Sequence, residues 1–189
     1  MKDKNTVTGA VLAGGHSSRF GTNKALYSTE GQPVWLVKAV RLLQPFCQQV
    51  WVSASETTAS SYIDYVPGIE IVIDESPDQG PMGGILSLLR KCSTDWLLIL
   101  PCDMPYINAD ILTKMLSTSG ENTDAVTWTN KDGRMSFPLL LHHRTEEFVV
   151  QQLKSGNRRI QSFLEAIHTE YLSISDIEVF RNINSHNDL

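Results

Sequence analysis

Cysteine is scarce in this chain of 189 residues. The three that occur, Cys47, Cys92 and Cys102, are odd in number, widely spaced and form no C-x-x-C pair. That argues against a disulfide framework and against a structural zinc site, and it suits a reducing cytoplasm. Long apolar runs are missing as well. None approaches the roughly 18 residues that a membrane-spanning helix needs. Met1 to Thr6 is polar and charged rather than an apolar signal region. An excess of basic residues is also absent: the formal net charge is −5. A general nucleic-acid binder is normally basic, so neither nucleic acid nor a membrane is an expected partner. There is no low-complexity segment and no repeat. The histidines, His16, His142, His143, His168 and His186, do not cluster, and only His16 lies where it is a minor candidate for phosphate contact.

What is present fits one globular domain spanning residues 1–189, long enough to bury a sizeable core. An acidic protein that binds a polyanion must focus positive charge locally or recruit a metal ion. One stretch does the former: L-A-G-G-H-S-S-R-F-G-T-N-K, from Leu12 to Lys24. It leaves an apolar β-prone run, so it begins at the end of a buried strand. Gly14 and Gly15 carry no side chain and let backbone N–H groups approach a phosphate. Arg19 and Lys24 add two cations, the first suited to bidentate phosphate contact and the second a mobile point charge. Gly21 lets the loop fold back between them. The stretch is neither a P-loop, because Thr22 and Asn23 separate Gly21 from Lys24, nor a dinucleotide fingerprint, because a Gly-Gly doublet does not give G-x-G-x-x-G.

Short apolar runs at 7–13, 50–52, 69–73, 96–100, 125–128, 137–141 and 171–174 read as strands. Helical rhythm marks 34–43, 57–65, 85–91, 109–116, 146–153 and 160–167, with 179–183 as a last extended piece. Strands that alternate with helices argue for a mostly parallel sheet covered on both faces. Ligands of such sheets lie outside the carboxyl ends of the strands. By this reading the first loop, Ser53, Asp74, the loop at Gly80 and Asp103 all fall at strand ends.

Asp103 is the sharpest single residue. An apolar strand delivers its carboxylate to the sheet edge, and Pro101 and Pro105 stiffen the backbone around it. A carboxylate beside a triphosphate most usefully holds Mg²⁺, although Asp is also common in turns. Asp74 either begins a turn or accepts hydrogen bonds from a ribose or a base edge. Gly80-Pro81-Met82-Gly83-Gly84 again removes side chains, either for a ligand or for a tight turn before a helix. Arg158-Arg159 reads as a solvated helix start or as an anion clamp. Cys102 has no His near it in sequence and receives no nucleophilic role.

Taken together, L-A-G-G-H-S-S-R-F-G-T-N-K, Asp74, G-P-M-G-G-I, L-P-C-D-M-P, G-N-R-R-I and F-R-N-I-N-S-H-N-D-L resemble the molybdenum cofactor guanylyltransferases, in the family's order and over nearly the whole chain. The first motif is shared with many nucleotidyltransferases, while G-P-M-G-G, P-C-D-M-P and F-x-N-I-N narrow the match. The resemblance implies a Rossmann-like three-layer αβα sandwich with a mostly parallel central sheet, of the nucleotide-diphospho-sugar transferase type. It implies transfer of GMP from GTP to molybdopterin with release of pyrophosphate. By resemblance, Leu12, Ala13, Gly14 and Gly15 lie against the nucleotide, Arg19 and Lys24 contact phosphates, and Ser53, Asp74 and Gly80 belong to the GTP site. Asp103 binds the Mg²⁺ cofactor. Arg158, Asn182 and Asn184 belong to the molybdopterin side. Transient contact with proteins that deliver molybdopterin or mature molybdoenzymes is also implied.

Two positions depart from the family pattern. Many members carry Asp immediately before the loop lysine, where this chain has Asn23, and some carry Asn after the second strand, where it has Ser53-Ala54-Ser55. The closest rival is a nucleotidyltransferase that uses CTP or another phosphorylated acceptor. A rival of another class is a nucleotide-binding module without catalysis. Retention of Arg19, Lys24 and Asp103 together leans against the latter.

Overall fold

The computed structural model describes residues 6–14, 23–130, 133–185 and 188. Its centre is a strand buried from Val7 to Val11. β1 (Val7–Leu12) lies between β2 (Gln49–Ala54) and β4 (Trp96–Pro101), parallel to both. Continuous apolar sequence, rather than alternation, is what a strand covered on both faces requires. β4 meets that demand: Trp96, Leu97, Leu98, Ile99 and Leu100 are all buried. Burial of each leucine or isoleucine side chain contributes roughly 1.5–3 kcal/mol.

β3 (Glu70–Ile73) adds to β2 in parallel. Beyond β4 the direction changes. β7 (Leu139–His142) pairs antiparallel with β4, and β5 (Ala125–Asn130) pairs antiparallel with β7. β6 (Gly133–Arg134) forms a hairpin with β5, and β8 (Thr169–Ser173) pairs with β5 in parallel. The described strands make one eight-stranded sheet in the order β3-β2-β1-β4-β7-β5-β6, with β8 on β5. The sheet is mostly parallel, as expected, with the antiparallel β7 set inside it.

Helices cover both faces. α1 (Trp35–Leu43) buries Trp35, Leu36, Ala39, Val40 and Leu43 in one core, which also holds Leu98 and Leu100 and residues of α4 (Ala109–Thr118). α3 (Pro81–Lys91), α5 (Glu146–Lys154) and α6 (Ile160–Ala166) pack on the other face, against Leu97 and Ile99. Alternate residues of β4 therefore feed two separate cores, which is the geometry of a three-layer sandwich. Among the described residues no helix is long and apolar enough to cross a membrane.

Three elements differ from the sequence expectation. The helix expected at 57–65 is a single turn, α2 (Glu56–Ala59), followed by turns. α3 begins at Pro81, four residues before the expected start at Ile85. The expected extended piece at 179–183 begins as a 3₁₀ turn, Glu178–Phe180.

Candidate active site at the carboxyl ends of the parallel strands

The sheet register sets a row of strand ends. Leu12 of β1 faces Ser53 of β2 on one side and Pro101 of β4 on the other, and Ala54 faces Ile73 of β3. The chain leaves β1 for β2 on one side and reaches β4 on the other, so the edge between β1 and β4 is where the winding reverses. That is where open α/β sheets bind ligands. Backbone bonds fix the rim: Ala13 N donates to Ser53 O (2.9 Å), Cys102 N to Leu12 O (3.1 Å) and Asp74 N to Ala54 O (2.9 Å). Gly14 lies against the backbone of 54–55, where an added Cβ would sit 3.4 Å from Ser55 N.

Gly15, His16, Arg19 and Gly21 lie outside the described residues. The two flanks of that loop are tied together by a side chain that the sequence did not single out. The buried Tyr62 hydroxyl faces Ala13 O at 2.8 Å and Asn23 Oδ1 at 3.2 Å. Burial pushes its pKa up, so it stays a neutral hydroxyl. Asn23 Oδ1 also accepts from Ala25 N (3.2 Å), capping the 3₁₀ turn Lys24–Leu26. Asn23 thus holds the turn that presents Lys24.

Lys24 and Asp103 meet. Nζ lies 2.7 Å from Oδ2, with side-chain exposures of 14% and 17%. Lys24 Nζ also donates to Asn184 Oδ1 at 3.2 Å. The Asn182 amide, oriented with its nitrogen towards Asp103, donates to Oδ1 at 2.6 Å, to Oδ2 at 3.2 Å and to the backbone carbonyl at 3.0 Å. Ile183 N donates to Asp103 O as well, at 3.0 Å. Two distant parts of the chain, Lys24 and the segment at 182–184, therefore converge on Asp103.

The second glycine run serves packing first. An added Cβ at Gly83 would overlap the Ser76 carbonyl, and it would also sit 3.0 Å from Asp74 Oδ1. Gly80, at φ 61° and ψ −152°, begins α3 in a conformation that suits only glycine. Asp74 Oδ1 accepts from Ser76 N at 2.8 Å, the turn-forming use of that residue. Burial outweighs that hydrogen bond, which favours the anion, and raises the Asp74 pKa above 3.8, with nearby Glu75 adding to the rise. Ser53 is 2% exposed; its carbonyl accepts from Ala13 N, and its hydroxyl faces Gly84. It shapes the rim from beneath.

Arg158 is not tied to the asparagines. Its Nη1 donates to Asp78 O at 2.7 Å, bracing the loop before Gly80. Cys102 is buried and its thiol is pushed up to about 12, so it is inert as a nucleophile at neutral pH. Beside Asp103 a groove of about 470 Å³ runs along Met104, Asn130, Met135, Phe137, Phe180 and Asn182. Asn182 belongs to both groove and carboxylate.

A family model described as the MobA-like NTP transferase domain matches residues 9–171. The chain is 28% identical to a probable molybdenum cofactor guanylyltransferase of Geobacillus sp., over 97% of this chain and 96% of that protein. It is 30% identical to a molybdenum cofactor guanylyltransferase of Cupriavidus metallidurans, over 100% of this chain and 95% of that one. Among solved structures it resembles a molybdopterin-guanine dinucleotide biosynthesis protein A of Archaeoglobus fulgidus, with a TM-score of 0.80 at 20% identity. That match covers 96% of this chain and 94% of the other. At that identity the likeness shows the fold.

Proposed function

Because the chain belongs to the MobA-like NTP transferase family, we propose that it transfers GMP from GTP to the terminal phosphate of molybdopterin. The products are molybdopterin guanine dinucleotide and pyrophosphate. The observation that carries this reading is the meeting of Lys24 and Asp103 at 2.7 Å on the rim where β1 and β4 end. The similarity to guanylyltransferases along nearly the whole chain supports it.

The donor set fits Mg²⁺ that arrives with a nucleotide. Among the described residues no three His, Cys, Asp or Glu side chains group to hold a metal by themselves. One carboxylate, completed by phosphate oxygens and water, is how Mg²⁺ is commonly bound. Asp103 would hold it, and the ion would neutralise charge on the α-phosphate and the departing pyrophosphate.

In the reaction an acceptor phosphate oxygen attacks the α-phosphorus of GTP. The new P–O bond forms as the bond to pyrophosphate breaks. The nucleophile is already an anion, so no general base is assigned. The difficulty is bringing two polyanions together. Lys24 answers it with a cation held at the rim, and Arg19 of the same loop supplies a second. Asp74 accepts from the nucleoside, and the backbone at Leu12, Ala13 and Gly14 lies along it. The groove beside Asp103 receives the pterin, whose flat ring system suits Met104, Met135 and Phe137 as walls. In-line positioning of the two substrates supplies much of the acceleration. The cytoplasm, where thiols stay reduced, is the compartment this reading calls for.

The test is incubation with molybdopterin, Mg²⁺ and each of GTP, CTP, ATP and UTP in turn, with product mass as readout. A guanine dinucleotide from GTP alone supports the reading. A cytosine dinucleotide instead would replace the donor.

A further inference from the structure

The C-terminal run Arg181-Asn182-Ile183-Asn184 alternates as an extended segment does. Ile183 is fully buried beside Trp35 and Tyr27, whose rings meet edge-on at 5.0 Å. The residues on either side point the other way, into the site. Asn182 gives its amide hydrogens to the Asp103 carboxylate, and Asn184 Oδ1 accepts from the Lys24 ammonium. The Ile183 amide closes on the Asp103 backbone. Downstream, Asp188 Oδ2 accepts from Asn184 N at 2.9 Å and from Ser185 N at 2.7 Å, which ties off the segment.

We propose that Asn182 and Asn184 are positioning residues of the nucleotide–metal half of the site: Asn182 fixes the carboxylate of Asp103, and Asn184 fixes the ammonium of Lys24. The inference rests on the nucleotidyl-transfer reading, and it gives these two side chains a role on the donor side, where the family resemblance implies only the acceptor. The chemistry favours this assignment. A carboxylate has two oxygens: at Asp103 Lys24 holds Oδ2 at 2.7 Å, and Asn182 holds Oδ1 at 2.6 Å and reaches Oδ2 only at 3.2 Å. Lys24 must turn to phosphate while a metal ion takes up Oδ2. Asn182 then keeps Oδ1 in place, so the carboxylate does not swing with its departing partner. Removing a group that holds a metal's ligand in this way typically costs about 10- to 100-fold in metal affinity.

The experiment is a titration of a fluorescent GTP analogue into the intact protein across a range of Mg²⁺ concentrations, with no acceptor present. Asn182→Ala is expected to raise the Mg²⁺ concentration for half-maximal nucleotide binding by roughly 10- to 100-fold. Binding in EDTA should stay at the parent's level. Asn184→Ala is expected to weaken binding with and without Mg²⁺ alike. Asn182→Leu guards against a folding artefact, because it fills the space of the amide and leaves the Ile183 anchor intact. With the donor gone and the space kept, the Mg²⁺ requirement should rise as far as it does with Ala, whereas a merely space-filling role would let Leu restore the parent's curve. Mg²⁺ curves for both Asn182 variants that overlay the parent's, with a change only in the KM for molybdopterin, would overturn the proposal. A parent that binds nucleotide with no Mg²⁺ dependence removes the metal site and this inference together. A parent with the expected Mg²⁺ behaviour that fails to modify molybdopterin loses its acceptor assignment and keeps this one.

Discussion

Lys24 Nζ and Asp103 Oδ2 lie 2.7 Å apart although 79 positions separate them in the chain. β1 and β4 are neighbours in the sheet, so the loop that follows one and the turn that follows the other open onto the same rim. The contact joins a cation suited to phosphate with a carboxylate suited to Mg²⁺.

Replacing Lys24 with Met should therefore impair nucleotide use and leave the fold standing, because Asp103 keeps Asn182 and the Ile183 amide as donors. The expected outcome is a fall in kcat/KM for GTP of roughly 100-fold, in the range seen when one electrostatic stabiliser is removed. Steady-state kinetics with isothermal GTP titration checks it. Parent-like values in both would remove Lys24 from the site.

Tyr62 offers a test of the loop's anchorage. Tyr62→Phe deletes one hydroxyl that faces Ala13 O and Asn23 Oδ1. Loss of a buried hydrogen bond costs about 1 kcal/mol. Urea unfolding should show that decrease, and on the proposed reading GTP affinity should fall with it, since Ala13 and Asn23 are no longer joined. An unchanged unfolding midpoint would mean that the hydroxyl contributes nothing there.

Asp74 sets stability against binding. Burial raises its pKa above the ordinary 3.8. The folded state thus holds the proton more tightly than the unfolded chain. Its contribution is most favourable below pH 3.8 and is lost as pH rises through the folded value, so at neutral pH the charge costs stability. Asp74→Asn keeps an oxygen for Ser76 N and removes the charge. It should raise the thermal midpoint at pH 7, with the gain shrinking as pH falls towards 4, and it should weaken nucleotide binding. Thermal melts across pH decide this, and a variant less stable than the parent at pH 7 would contradict it.

Much of this arrangement was legible in the sequence, for physical reasons. Strands buried on both faces must be apolar throughout, so 7–13 and 96–100 stood out, and with them Asp103 at a strand end. Lys24 was legible as part of a glycine-rich cationic loop. What escaped depends on contacts between distant parts of the chain. Nothing local marks Tyr62 as the tie between Ala13 and Asn23, or aims Asn182 at Asp103. The early start of α3 escaped for a different reason. Gly83 and Gly84 are poor helix formers, but their first-turn backbone packs so closely on Ser76, Asp74 and Ser53 that a side chain has no room. Packing overrode propensity there. The antiparallel β7 escaped because a short apolar run reads the same in either direction.

One assay bears hardest on the whole account: the rate of pyrophosphate release from GTP in the presence of molybdopterin and saturating Mg²⁺, for the parent and for Asp103→Asn, with the dinucleotide confirmed by mass. The parent should release pyrophosphate in step with molybdopterin guanine dinucleotide. The variant, with a carboxamide of the same shape, should lose roughly 100-fold or more in rate while melting within a few degrees of the parent. Equal rates for the two proteins would contradict the account.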